Sequence, residues 1–161
     1  MAGESKKLYS PYGPVNEPKI PLLAARALAK IGRSTEAIAI LADMLSVIEP
    51  TSHLSMKPDV CSLKGDLLLI DGPSQQAEAA DNYRQAIVLA RQNSDRIAEL
   101  GATMRLAQVL RDSGRRAEAR TMLAEIYGWF TEGFETVDLK EGKALLDQLT
   151  AYRISQHHSS N

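Results

Sequence analysis

A single cysteine, Cys61, is the only thiol in the 161 residues. The chain therefore has no internal disulfide, and it lacks both the paired thiols of a thioredoxin-type motif and the thiol set of a zinc cluster. Such usage fits a reducing compartment. An excess of charge of either sign is missing too. The 19 Lys and Arg against 20 Asp and Glu leave a net charge of −1, with no field to gather nucleic acid or an anionic membrane. No apolar run approaches the roughly 18 residues of a membrane-spanning helix, and the lysines of MAGESKKLYSPYGPVNEPKI are not followed by the apolar stretch of a secretory leader. A cytoplasmic protein with neither nucleic acid nor membrane as partner is the expectation. Strand signals are essentially absent.

What is present points to helices. The 44% hydrophobic and 24% charged residues are those of an ordinary folding domain. Residues 1–19 hold Pro11, Pro14 and Pro18 with Gly3 and Gly13, a density that removes helical hydrogen bonds and predicts an extended or flexible arm. From Pro21 onward Ala, Leu, Glu, Gln and Arg dominate, with apolar residues three and four apart. The spacing predicts seven helices, near 20–31, 34–48, 56–70, 75–93, 95–112, 115–130 and 137–152. Gly32, Pro50 to His53, Gly72-Pro73, Asn93-Ser94, Gly114 and Gly128 to Gly133 break them. This makes 20–152 one helical domain and 153–161 a disordered tail.

These helices repeat. LAKIGRSTEAIAIL (28–41) laid over LRDSGRRAEARTML (110–123) aligns Leu28 with Leu110, Gly32 with Gly114 and Ala37 with Ala119 at an offset of 82 residues. Between them LLIDGPSQQAEAADNYRQA (68–86) supplies Leu68, Gly72, Ala79, Tyr83 and Ala86, with a two-residue insertion after the glycine. Seven residues before each glycine stands a small residue, Ala25, Gly65 or Ala107. A small residue lets the two helices of a hairpin approach closely, a leucine fills the groove between them, and the glycine ends the first helix in a left-handed conformation.

The pattern of small residue, glycine turn, alanine, aromatic and alanine resembles the tetratricopeptide repeat, and is kept best at Ala79, Tyr83 and Ala86. The period of 40 to 42 residues exceeds the family's 34, implying longer helices or loops, and armadillo-type repeats share periods in this range. The expected fold is an all-α helical-hairpin solenoid of about three pairs with a C-terminal capping helix. SGRRAEARTMLAEIYGWFTEGFETVDLKEGKALLDQL (113–149) is also similar to the extreme C-terminus of bacterial multidomain signalling ATPases and adenylate cyclases that end in tetratricopeptide repeats. That resemblance spans about residues 20 to 150, and Gly142 stands where those proteins usually show alanine. It implies a scaffold or sensor region of a signalling system. The catalytic motifs of that family are missing from the chain, with no phosphate-binding G-x-x-x-x-G-K-[ST] and no strand-borne aspartate pair.

Little else suggests chemistry. His53 falls in a loop and His157 and His158 in a Ser-rich tail, where solvation accounts for them. Cys61 reads as a small buried hydrophobe, and no Ser/His/Asp or Cys/His grouping is present, so neither an enzyme nor a metal or cofactor site is expected. Arg105, Arg111, Arg115, Arg116 and Arg120 crowd around the third hairpin. They form either a surface for an acidic partner segment or a solvated turn paired with Asp112 and Glu118. Of eight aromatic residues (one Trp, five Tyr, two Phe), Tyr127, Trp129, Phe130 and Phe134 lie together ahead of Leu139, Leu145, Leu146 and Leu149. They form either a sticky ligand surface or, the reading preferred, a seal in which Trp129, Phe130 and Phe134 lie under or beside a cap built on Leu139, Leu146 and Leu149, with Thr136 as its N-cap. The function expected is non-catalytic binding of a protein or peptide on a concave face lined by the first helix of each pair. A small-molecule sensor regulating a partner ATPase, cyclase or transcription factor is the alternative, and self-association stays open.

Overall fold

Why each hairpin stops where it does is visible in its turns. The computed structural model describes residues 9–10, 13–14, 19–48 and 56–157, with side chains over 19–46 and 56–151. Seven α-helices account for nearly all of these: α1 (Lys19–Lys30), α2 (Ser34–Ile48), α3 (Lys57–Asp71), α4 (Gln76–Gln92), α5 (Arg96–Asp112), α6 (Arg116–Tyr127) and α7 (Val137–His157). At the ends of α1 and α5, Gly32 and Gly114 adopt φ of +78° and +82°. Their left-handed turn lets the Arg33 and Arg115 N–H groups donate to the carbonyls of Leu28 and Leu110, at 2.9 and 2.7 Å. The end of α4 uses the same closure with Ser94 in the glycine's place, at φ +57°, and Asp95 N–H donating to Ala90 O at 2.9 Å. Asp95 then caps α5 by accepting from Ala98 N–H at 3.0 Å. In the middle copy the insertion forms one turn of 3-10 helix, Pro73–Gln75.

The helices pair in chain order, α1 with α2, α3 with α4 and α5 with α6, and α7 packs on α5 and α6. The first helices also touch in succession, α1 on α3, α3 on α5 and α5 on α7, with no comparable packing between α2, α4 and α6. The first helices are therefore the inner, concave layer of a solenoid. The repeat positions are its core. Ala25, Ala37, Ala79, Ala86 and Ala119 are fully buried, with Leu28, Leu68, Tyr83, Ala107 and Leu110 nearly so. The extra period length is helix, since α4 and α5 are 17 residues each.

Gly65 shows what the small residue is for. A Cβ placed on it would lie 2.5 Å from Tyr83 Cε1 and 2.8 Å from Cζ, so the ring of α4 occupies the space a side chain on α3 would need. Two apolar clusters result. One joins the first hairpin to Val60 and Leu67 of α3, and the other runs from α3 to α7. Ile38 and Leu45 of α2 pack against both.

The cap is built on Leu139, Leu145 and Leu149, all buried, with Leu146 partly so. The face of α7 turned away carries the Lys143–Asp147 ion pair, both side chains about two-thirds exposed. That polar outer face ends the array. The seal differs from expectation in its aromatics. α6 ends at Tyr127 and not at residue 130, Gly128 starts the turn, and Trp129 and Phe134 emerge 57% and 43% exposed. Only Phe130 of the three packs on the core. Trp129 instead meets Phe130 edge-on at 5.5 Å and carries the Arg96 guanidinium 5.0 Å above its ring. Thr136 precedes α7 as expected, but its hydroxyl donates back to Gly133 O at 2.8 Å. The last helix runs to His157, through residues 153–157 of the segment expected to be disordered. His53, His158 and most of the N-terminal arm lie outside the described residues. Within the arm, Tyr9–Ser10 pairs antiparallel with Gly13–Pro14.

Candidate interaction groove

On the inner face a groove of about 740 Å³ runs between α1, α3 and the middle of α5. Its side chains follow from the repeat register. Positions −2, +1 and +5 from the small residue give Leu23, Arg26 and Lys30 on α1, then Leu63, Asp66 and Ile70 on α3, all lining the groove. On α5 the −2 position is Arg105, the one residue that helix contributes. Leu23 of α1 and Ile70 of α3 stand 69% and 60% exposed, so the groove offers apolar contact as well as charge.

The floor is preset by a three-residue network. Asp66 accepts from Tyr83 Oη at 2.8 Å and from Arg105 Nε at 3.0 Å, and Arg105 Nη1 donates to Gly101 O at 3.2 Å. The guanidinium is thus held on one edge with donors left for the groove. Burial, then the Asp66 carboxylate and the hydrogen bond to it, holds the Tyr83 phenol above its ordinary value. Tyr83 remains a neutral donor, fixing Asp66 from below. Arg26 and Lys30 make no ion pair among the described residues, and neither does Asp59 at the α3 end of the groove.

The five arginines expected to act together are dispersed. Arg105 alone enters the groove. Arg111 pairs with Asp112 at 2.9 Å and reaches Gln148 of α7. Arg115 pairs with Glu118 at 2.6 Å, Arg116 Nη2 donates to Gln148 O at 2.8 Å, and Arg120 is half-buried on α6. Two of the five thereby fasten the cap. A second network escaped sequence reasoning. Glu99 is 2% exposed and accepts from Arg91 Nε at 2.6 Å and Arg96 Nη1 at 2.7 Å, tying α4 to α5. Cys61 is fully buried, and that burial pushes its thiol pKa up, the opposite of a reactive cysteine. Among the described residues no group of three His, Cys, Asp or Glu could hold a metal, and no helix is long and apolar enough to cross a membrane.

No protein-family model matches the chain, and no curated protein does. Solved structures match its fold, two of them of one protein. One is a variant of a kinesin light chain-type protein of Podosopora anserina with nearly identical TPR-like repeats, at TM-score 0.63 and 16% identity over 88% of this chain and 76% of that one. The other is its parent, at TM-score 0.62 and 16% identity over 88% and 77%. At such identity the likeness is one of fold, and together with the stacked hairpins it defines a TPR-like helical-hairpin solenoid.

Proposed function

We propose that this chain is a non-catalytic interaction module that holds a segment of a partner protein in the groove between α1, α3 and α5. The observation that carries the reading is the groove's construction. Leu23 of α1 and Ile70 of α3 lie exposed in a groove whose Arg105 is already fixed by Asp66, so apolar anchoring and a preorganised charged donor are ready without rearrangement. TPR-like repeats as a class present such inner surfaces to peptides. The similarity of the sequence to the repeat regions of bacterial signalling ATPases and cyclases supports a place in cytoplasmic signal transduction, with the chain as scaffold or sensor and a second protein as effector.

Peptides selected from a random library on the wild-type protein test this by titration calorimetry. Ile70→Arg in the groove should abolish their binding. Val88→Arg on α4, where Val88 is 52% exposed, should leave it intact. The reverse pattern, or thermal stabilisation by a small metabolite lost in Ile70→Arg with no peptide selected, would turn the reading over to the ligand-sensor alternative.

A further inference from the structure

The solenoid has two ends, and they are built differently. At the C-terminal end, α7 turns a polar face outward. Among the described residues nothing of the kind covers α1. In α3, Val60 and Leu67 are fully buried within the first cluster, beneath the hairpin that precedes them, and Leu63 packs against it. Forty residues earlier the same register places Ile20, Leu23 and Ala27 on α1. Among the described residues no hairpin lies over this face. Ile20 is 46% exposed, Leu23 69%, and Ile31, one turn beyond Ala27, 66%. At 3.6 residues per turn these four form one stripe along α1, a helix-packing face without its helix.

Charge decides what fits there. Lys19, Arg26 and Lys30 lie side by side along the groove-facing edge of the stripe, by the same helical spacing, and are exposed. None makes an ion pair among the described residues, and 19–33 contains no Asp or Glu. A second copy docked symmetrically would set these cations against their own counterparts, which argues against self-association through this face. We infer that the α1 face docks an amphipathic helix of a partner protein, its apolar stripe on Ile20, Leu23, Ala27 and Ile31 and its flanking Asp or Glu side chains against Arg26 and Lys30. There it stands to α1 as the first hairpin stands to α3. This surface adjoins the groove and shares Leu23, Ala27, Arg26 and Lys30 with it, while Ile20 and Ile31 lie outside the groove and Asp66, Ile70 and Arg105 outside the surface.

The test uses the full chain and a fluorescein-labelled peptide of about 18 residues, five helical turns, with a leucine stripe and glutamate elsewhere, followed by fluorescence anisotropy. Wild type binds it, and Ile20→Ser/Ile31→Ser weakens binding at least about tenfold. Ile70→Ser in the groove leaves it unchanged. Arg26→Glu/Lys30→Glu transfers preference to the lysine version of the peptide, a gain that loss of folding cannot mimic. The inference is overturned if a composition-matched peptide without helical periodicity binds equally well, or if Ile70→Ser alone abolishes binding. It is likewise overturned if vesicles of phosphatidylserine and phosphatidylcholine take up the protein while the peptide does not bind. A dimer in sedimentation that Ile20→Ser/Ile31→Ser dissolves, without peptide binding, also overturns it.

Discussion

Gly65→Ala adds one methyl group to a helix, where alanine is ordinarily the better residue by about 0.5–1 kcal/mol. At this position the new Cβ would meet three atoms of one ring, Tyr83 Cε1 at 2.5 Å, Cζ at 2.8 Å and Cδ1 at 3.0 Å. The ring has little room to yield, being 1% exposed and tethered through its hydroxyl to Asp66 at 2.8 Å. Either α3 and α4 part or the ring leaves its rotamer, and overpacking of this kind costs about 1–3 kcal/mol, which outweighs the helical gain. Gly142→Ala is the internal control. There the Cβ would sit 3.4 Å from Tyr127 Cδ2 and 3.6 Å from Leu100 Cδ1, ordinary contacts, so the same substitution should stabilise by about 0.5–1 kcal/mol. Urea unfolding followed by circular dichroism at 222 nm reads both. In the sister copies Ala25 and Ala107 accompany Leu41 and Leu123 where Gly65 accompanies Tyr83, so Gly65→Ala/Tyr83→Leu should recover part of the loss. A Gly65→Ala protein as stable as wild type would refute the close-approach account of the hairpins.

Tyr83→Phe removes the phenol that burial and Asp66 hold above its ordinary value. The folded state keeps a proton that the unfolded chain releases near pH 10, so this contribution is complete below about pH 10 and lost as pH rises beyond it. Melting curves should show wild type losing more stability than Tyr83→Phe between neutral pH and pH values above 10, and parallel curves would contradict the assignment. A chain ending at Gly133 forfeits the burial of Leu139, Leu145 and Leu149, worth about 1.5–3 kcal/mol each and together comparable to a small domain's net stability. It should aggregate or melt far lower, while equal stability would remove α7 as a cap. Trp129 emission should change little on that truncation, because the indole is already 57% exposed. Ser94→Gly should raise the melting temperature by relieving a left-handed serine at φ +57°, worth about 1 kcal/mol, and a drop would mean that the serine holds that turn by another means.

The helices were legible because burial is periodic. Ala25, Gly65 and Ala107, with the glycines seven residues on, mark positions where only packing matters, and packing repeats with the fold. The groove was harder to read for the same reason. Its positions carry weaker packing demands and differ from copy to copy, with Leu23, Leu63 and Arg105 at one register position and Arg26 and Asp66 at the next. The repeat register would still have found them, counted from the small residues. Closeness along the chain misled where it stood in for closeness in space. Arg111, Arg115, Arg116 and Arg120 surround a turn, so their side chains leave in different directions and find Asp112, Glu118 and Gln148. The four aromatics from Tyr127 to Phe134 suggested burial. α6 stops at Tyr127, and the turn that follows carries Trp129 outward to Arg96.

The claim that the inner groove is a protein-binding surface is met most directly by site-specific photo-crosslinking. Benzoylphenylalanine at Ile70, in the groove, or at Val88, on the outer side of α4, is irradiated in living cells, and the adducts are resolved by mass. Both positions are more than half exposed, so access alone does not separate them. The account predicts discrete protein adducts from Ile70 and none from Val88. Adducts from Val88 alone, or equal adducts from both, would contradict it.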